Sequence, residues 1–336
     1  MTPQEAGGQG SIAVVILNYN GLSFLEKFLP GVVRYSPEAK IVVADNGSTD
    51  TSLEFLSSSF PAVEIIEIGM NLGFCGGYNF ALNKVEADYF VLLNNDVEVT
   101  QGWLKPLRAL LDNDQKIAAV QPKVLAYNQR DHFEYAGAGG GMIDCLGYPF
   151  CRGRIFDTAE KDHGQYDDTL PVFWATGACL MVRAGLYKQL GGLDEDFFAH
   201  MEEIDLCWRL KRHDFEVYYC GSSTVYHVGG GTLAAGNPRK TYYNFRNGLS
   251  LLIKHLPGWQ LLWKLPARVV LDWVAGLKFL FGQPSHSWAV LKAHFYTLFH
   301  LRKNWKKRRS PTLPVSGIFP GLIIFRYFLL GRKTYQ

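Results

Sequence analysis

Short apolar runs of strand length alternate with helix-period segments over the first two thirds of the chain, and each run stops at polar turn residues. Residues 11–19 (SIAVVILNY) are largely β-branched and end in Asn18-Tyr19-Asn20-Gly21. Leu22, Leu25, Phe28 and Leu29 follow at helical spacing. A second strand over 40–44 gives way to Asp45-Asn46-Gly47-Ser48-Thr49-Asp50, a turn and then capping oxygens for a helix beginning near Leu53. Residues 63–68 predict a third strand, and a glycine-rich loop over 71–77 leads into a helix over 78–85. The run 88–93 predicts a fourth strand, stopped by Asn94-Asn95-Asp96. A helix over 103–111 and a strand over 117–123 come next. This alternation predicts an α/β fold, a parallel sheet covered by helices on both faces. From 131 to 170 the pattern weakens into glycines and charges, a long irregular excursion. Order returns with an apolar run at 172–182, a helix carrying Glu202 to Arg209, and strand-like pieces at 217–219 and 224–227.

The last third changes character. Residues 249–256, 259–265, 267–281 and 288–301 are apolar-aromatic patterns interrupted by Lys, Arg and His. The interruptions fall before the roughly 18 continuous apolar residues that a spanning helix requires. Charge follows the same division. The net charge of +3 conceals 30 acidic and 17 basic residues before Gly231, against one acid, Asp272, and 17 basic residues from there on. Six of the eight residues at 302–309 (RKNWKKRR) are basic. Beside Trp- and Phe-rich amphipathic helices, such a cluster fits the anionic surface of a membrane better than nucleic acid; a packing or dimerisation extension is the alternative. The expected organisation is a flexible N-terminus over 1–10, a body over 11–248 and a basic amphipathic helical extension over 249–336. The N-terminus has neither the basic nor the apolar region of a signal peptide. The six cysteines form no CxxC pair, which predicts buried reduced thiols in a cytoplasmic protein at the inner face of the membrane.

Ligands of open α/β sheets bind beyond the carboxyl ends of the strands, which puts Asp45 and Asp96 on the rim of a cleft. Each also has a plain structural reading, Asp45 as a helix cap and Asp96 as a strand terminator. A carboxylate at Asp45 can accept hydrogen bonds from a base imide or ribose hydroxyls. The 73–77 loop can let backbone approach a phosphate, but it is neither GxGxxG nor GxxxxGK[ST], so nicotinamide and P-loop readings lose support. Glu202, Glu203 and Asp205 crowd three carboxylates into four residues, with Glu202 and Asp205 on one helix face. Like charges this close raise at least one pKa, which suits a general base where the group is partly buried. The alternative is a solvated acidic helix, against which the neighbouring Phe197, Phe198, Leu206, Cys207 and Trp208 argue. His227, at a strand end before three glycines, is either a structural hydrogen-bonder or a metal ligand.

These segments in this order resemble the family 2 glycosyltransferases, GT-A-fold inverting enzymes that include bacterial rhamnosyl- and galactosyltransferases. The matching pieces are VVILNYNG (14–21), VVADNGSTD (42–50), NLGFCGGYN (71–79), LLNNDVE (92–98), ATGACLMVR (175–183), GGLDEDFF (191–198), MEEIDLCWR (201–209), HVGGGT (227–232) and YYNFRN (242–247). They span roughly 11–250. The resemblance implies a Rossmann-like GT-A sheet and a nucleotide-sugar donor, UDP- or dTDP-linked, bound by Asn18, Asp45, Asn46, Asn71, Gly73, Asn79, Asn94, Asn95 and Arg246. Asp45 takes the nucleobase and ribose. Asn94-Asn95-Asp96 stands for the DxD motif, with Asp96 on a divalent metal (Mg2+ or Mn2+) that bridges the diphosphate and His227 completing its coordination. Glu203 takes the place of the general base, with Glu202 the alternative and Asp205 beside them. Trp174, Thr176 and Gly177 face the acceptor, a glycan or lipid-linked glycan. Transfer by single displacement inverts the anomeric carbon. Two positions depart from the pattern: Asn94 replaces the first DxD acid, and Glu203 stands where aspartate is usual. A nucleotidyltransferase on a related fold would want a charged glycine-rich loop after the first strand, and 18–21 carries no charge. A catalytically inactive glycan- or membrane-binding relative is the other alternative.

Overall fold

The computed structural model describes residues 10–135, 137–229, 236–308 and 315–335. The N-terminus through residue 9, the end of the HVGGGT segment and Arg309 of the basic cluster lie outside the described residues. In chain order the elements begin β1 (Ile12–Asn18), α1 (Leu22–Tyr35), β2 (Ala39–Asp45), α2 (Ser52–Ser59), β3 (Glu64–Glu67), α3 (Gly73–Lys84), β4 (Tyr89–Asn94), β5 (Val97–Val99) and α4 (Leu104–Asn113). They continue with β6 (Ile117–Ala126), β7 (Gln129–Phe133), β8 (Gly141–Asp144), β9 (Pro149–Cys151), β10 (Arg154–Ile155), β11 (Thr158–Ala159), β12 (Thr169–Val172) and β13 (Cys179–Arg183). The last are α5 (Ala184–Gln189), α6 (Glu202–Arg212), β14 (Glu216–His227), α7 (Pro238–His255), α8 (Gly258–Leu280), α9 (Pro284–Phe299), α10 (Leu301–Lys306) and β15 (Ile318–Phe319).

The main sheet runs in the order β12-β14-β6-β13-β4-β1-β2-β3. β1 pairs in parallel with β2 and β4, β2 with β3, and β6 with β14. β13 enters antiparallel between β4 and β6, and β12 lies antiparallel on β14, so the parallel order expected from strand–helix alternation is interrupted at the centre and at one edge. The strand runs are apolar at nearly every position because helices cover both faces; a sheet face left in water would show alternation instead. Ala13, Val15, Phe90 and Leu92 pack into one core cluster, and Val14, Ile16, Val91 and Leu93 into the other.

Three segments differ from the sequence expectation. The glycine-rich 73–77 stretch is the first turn and a half of α3 rather than a loop. Asn71 Oδ1 accepts from the Gly73 amide at 2.8 Å and Asn46 Oδ1 from the Leu72 amide at 2.9 Å, so side-chain amides start the helix. The excursion at 131–170 builds a small second sheet, β11-β10-β9-β8-β15, closed by a strand from near the C-terminus. Long-range pairing of that kind leaves no local periodicity to read. The two pieces at 217–219 and 224–227 are one strand, β14, with a register irregularity against β6 between Cys220 and Thr224.

The expected division at 248/249 falls inside α7. Asp272 of α8 accepts from Tyr148 at 2.9 Å and pairs with Arg268 at 2.8 Å, tying the extension to the small sheet. All six cysteines are free. No helix among the described residues is long and apolar enough to cross a membrane.

Candidate active site

The carboxyl ends of β1, β2 and β4 bring Asn18, Asp45, Asn94, Asn95 and Asp96 to one edge of the sheet. The parallel register sets Asn18 beside Asp45 and Leu17 beside Asn94. Asp45 is buried; its Oδ2 accepts from the Ser48 amide at 2.9 Å, and Asn18 Nδ2 donates to its Oδ1 at 3.4 Å. Asn95 Nδ2 donates to Asn18 Oδ1 at 2.9 Å. Gly21 sits against this pair, where an added Cβ collides with Asn18 Oδ1 and Asn95 Nδ2. The turn after β1 therefore needs a glycine for a packing reason. Asn46 closes the edge, donating to Asn71 Oδ1 at 3.2 Å and to the Gly73 carbonyl at 3.1 Å.

His227 reaches the same edge from the far end of β14, where it pairs across to Val97 and the Val228 amide donates to the Asp96 carbonyl at 3.1 Å. Its Nε2 lies 3.1 Å from Asp96 Oδ1 and 3.4 Å from Asn94 Nδ2, and its Nδ1 lies 3.2 Å from Glu134 Oε2. Burial opposes a charge on this ring, yet the carboxylates of Asp96 and Glu134 together push its pKa up to about 10. Without a cation the ring thus bridges two buried acids as an imidazolium, and it must give up its Nε2 proton to ligate a metal. Glu134 has no signal in the sequence; it is one acid in a charged stretch. Among the described residues no three His, Cys, Asp or Glu side chains form a metal site by themselves. The donor set here, one carboxylate and one imidazole beside a neutral amide, fits a cation whose remaining ligands are substrate phosphates and water, as with Mg2+ held by one or two carboxylates. A second acid behind the imidazole is the usual arrangement for orienting a metal-binding histidine.

Glu202 and Glu203 open α6, with one carboxylate oxygen of each buried and unpartnered. Burial raises both; Glu203 is pushed up to about 7, and Glu202, further raised by its neighbour, goes well above the usual carboxylate range. The 176–178 turn joins this pair to the sheet edge. Gly177 lies where an added Cβ comes within 3.8 Å of the Glu203 Cβ, and the next residue's carbonyl, that of Ala178, accepts from the Asn94 amide at 3.0 Å. Thr176 is buried, its Oγ1 accepting from the Ala178 amide at 3.1 Å and its own amide donating to Gln121 at 3.0 Å.

Four of the expected residues stand apart with their polar groups engaged. Asp205 is fully buried and paired with Arg209 at 2.8 Å, Lys254 at 2.5 Å and His255 at 2.8 Å. Against the cost of burial, the Lys254 and Arg209 cations, with a hydrogen bond from His255, hold its carboxyl well below the ordinary range. Asn79 bridges the Leu193 carbonyl and amide and the Tyr187 hydroxyl. Trp174 Nε1 donates to the Met142 carbonyl at 2.8 Å. Arg246 Nη2 donates to the carbonyls of Asp196 at 2.9 Å and Phe197 at 2.5 Å, in the segment leading to Glu202. Its neighbour Asn247, which the sequence did not single out, holds the carbonyls of Phe197, Ala199 and His200 at 3.2, 2.9 and 2.6 Å.

The sheet is of GT-A type, with carboxylates at its strand ends and a buried acid pair joined to them through the 176–178 turn. The chain belongs to glycosyl transferase family 2, whose model matches residues 13–190. Among curated relatives, an N-acetylglucosaminyl-diphospho-decaprenol L-rhamnosyltransferase of Mycobacterium tuberculosis is 26% identical over 76% of this chain and 88% of its own length. A hexosyltransferase of low-salt glycan biosynthesis from Haloferax volcanii is 24% identical over 62% of this chain and 64% of its own. Rhamnosyltransferase WbbL of Escherichia coli is 23% identical over 64% and 83%. Among solved structures, GalNAc-T7 with UDP, GalNAc and Mn2+ superposes with TM-score 0.58 at 17% identity, covering 75% of this chain and about half (49%) of that one. S. aureus TarS 1-349 superposes with TM-score 0.53 at 16% identity, covering 88% of each chain.

Proposed function

We propose that this glycosyltransferase takes a sugar from a UDP- or dTDP-linked donor and places it, with inversion, on a hydroxyl of a glycan or lipid-linked glycan. One observation carries the reading: the 176–178 turn touches both the strand-end edge with Asp45 and Asp96 and the buried Glu202–Glu203 pair. A donor on the edge and a base across the turn is the layout a single displacement needs. Asp45, with Asn18 beside it, accepts from nucleobase or ribose. Asp96 and His227 would hold a divalent cation, Mg2+ or Mn2+, which when bound offsets the charge gathering on the leaving diphosphate. Glu203, with its pKa near 7, takes the acceptor hydroxyl proton on a carboxylate oxygen as the oxygen attacks the anomeric carbon from the face opposite the diphosphate. Burial and the neighbouring Glu203 charge raise Glu202 as well, which leaves it the weaker candidate for the base.

The rhamnosyltransferase and decaprenol-linked names among its relatives support a deoxyhexose donor and a lipid-linked acceptor. A membrane acceptor agrees with the outer face of α8, where Trp259, Leu262, Trp263, Val270, Trp273, Val274, Leu277 and Phe281 form an exposed apolar stripe at helical spacing. Residues 288–299 of α9 extend it with Trp288, Phe295, Leu298 and Phe299. This surface supports peripheral attachment to an anionic membrane face.

The test is a panel of UDP- and dTDP-linked sugars, L-rhamnose among them, scored by thermal shift with and without Mn2+ and then by nucleoside diphosphate release. A donor that binds only the folded chain must raise its melting temperature. Glu203→Gln should keep that shift and lose transfer. Turnover near wild type in that variant removes Glu203 from the role. Asn94 in the DxD place favours a second reading, an inactive binding relative; donor binding without turnover for every sugar and metal would select it.

A further inference from the structure

The basic cluster near the C-terminus is not wholly turned to solvent. Lys303 Nζ lies 2.7 Å from Asp196 Oδ1, and Lys307 Nζ lies 2.5 Å from both Asp194 Oδ1 and Asp196 Oδ2. Four residues apart, the two lysines share one side of α10 and its end. Arg308 donates to the carbonyls of Ile253 and Leu256. Arg302 and Lys306 are exposed.

The two aspartates begin a short segment under unusual backbone strain. Asp194 caps a 3-10 turn over Glu195–Phe197, accepting from the Asp196 amide at 3.1 Å. Phe198, His200 and Met201 follow with φ of 64°, 68° and 71°, three non-glycine residues in the left-handed region just before α6. Such conformations persist only where the surroundings over-determine them. Here Arg246 and Asn247 of α7 hold four carbonyls of 196–200, and the Phe198 ring lies against Gly73 of α3, where an added Cβ comes within 2.9 Å, and stacks on Tyr243 at 5.6 Å. The next residues are Glu202 and Glu203.

We propose that Lys303 and Lys307, gripping Asp194 and Asp196, are positioning residues for the base: they complete the clamp that keeps the 198–201 turn strained and the first turn of α6 aimed at the 176–178 turn. The C-terminal extension is then part of the catalytic site as well as a surface for the membrane. This rests on the reading of Glu203 as base. Three ion pairs with partly exposed partners add little to global stability. Their effect falls on the local opening of one turn, which costs less than global unfolding.

The test uses the full chain. In Lys303→Ala/Lys307→Ala, amide hydrogen exchange over 196–203, read without any ligand, should quicken at least tenfold while exchange in β1, β2 and β4 stays unchanged. With the donor that the sugar panel identifies, kcat should fall tenfold or more and donor KM stay within twofold. Lys303→Arg/Lys307→Arg should restore both. Asp196→Asn, which leaves the Asp194 cap intact, should reproduce the exchange change if the double variant folds poorly. Unchanged exchange over 196–203 overturns the proposal, as does wild-type kcat in the alanine variant. Loss of pelleting with anionic phosphatidylglycerol vesicles at unchanged kcat also overturns it, assigning the lysines to lipid. Wild-type turnover in Glu203→Gln removes the base reading instead, and the exchange result then stands as a purely structural clamp.

Discussion

A base held near neutrality by burial costs the fold stability, and Glu203→Gln measures that cost. Burial pushes the Glu203 carboxyl up to about 7 in the folded chain, from an ordinary value of 4.5. The proton is therefore held more tightly in the folded chain than in the unfolded one. Stability is fully present below pH 4.5 and declines as pH rises toward 7, because the unfolded chain releases the proton first. A rise of that size corresponds to about 3 kcal/mol, complete above pH 7. Glutamine keeps the shape and never ionises. Glu203→Gln should thus match wild type in stability near pH 4.5 and exceed it by about 3 kcal/mol at pH 8, roughly 5–10 °C in melting temperature. The same variant should lose transfer at every pH. Wild-type kcat should rise about tenfold between pH 6 and a plateau above pH 8, as a base of this pKa becomes ionised. Urea denaturation of both proteins from pH 4.5 to 8 makes the comparison. Parallel stability curves across that range would refute the buried-base argument, whatever the activity.

Asp205→Asn strands Lys254 and His255 without their shared carboxylate, and loss of one partner from a buried ionic cluster costs about 3–5 kcal/mol; urea midpoints should fall accordingly, and a change under 1 kcal/mol would contradict the pairing. Asn94→Asp puts another acid beside the His227 ring, already flanked by Asp96 and Glu134. It should destabilise the metal-free chain and tighten Mn2+ binding by calorimetry. Combined with Glu134→Gln it should recover stability, and a double-mutant cycle with no coupling would separate the two positions. Leu262→Glu/Leu277→Glu should leave melting temperature within about 2 °C, since both side chains are largely exposed, and lower pelleting with anionic vesicles at least tenfold; unchanged pelleting would move membrane contact elsewhere.

The strand ends were legible because a buried parallel strand is a continuous apolar run and its last polar residue marks the rim. Asp45 and Asp96 needed no more than that, and their register across β1 needed only the alternation of strands and helices. What was not legible depends on distant parts of the chain meeting. The small sheet closes on β15, some 170 residues from β8, so 131–170 reads as irregular until its partner is known. Glu134 looks like any acid in a charged stretch until β14 carries His227 to it. Arg246 was expected on the donor, as a cation near a diphosphate site. In the structure its Nη2 holds main-chain carbonyls, and sequence cannot tell an arginine that braces a loop from one whose polar groups are all free for phosphate. The basic cluster at 302–309 misleads in the same way: its composition fits an anionic surface, yet Lys303 and Lys307 find their anions inside the protein.

The same view bears on Asn94, the position that departs most from the family's acidic motif. A neutral amide there seems to weaken a cation site by one charge. But His227 touches Asp96 on one side and Glu134 on the other, so the neighbourhood already holds two buried carboxylates around a single imidazole. A third carboxylate at 94, within reach of the same ring nitrogen, would set three acids around one imidazolium, a like-charge excess relieved only when a cation arrived. At an effective dielectric near 20 such a pair at 4 Å costs about 4 kcal/mol. With the amide, Asn94 can donate to or accept from its surroundings in either state of the site. The acidity missing from the strand end is present behind the histidine, where it can orient the ring without competing for the cation's open positions. On the proposed cation reading, Glu134 supplies behind the ring the acidity that Asn94 lacks at the strand end.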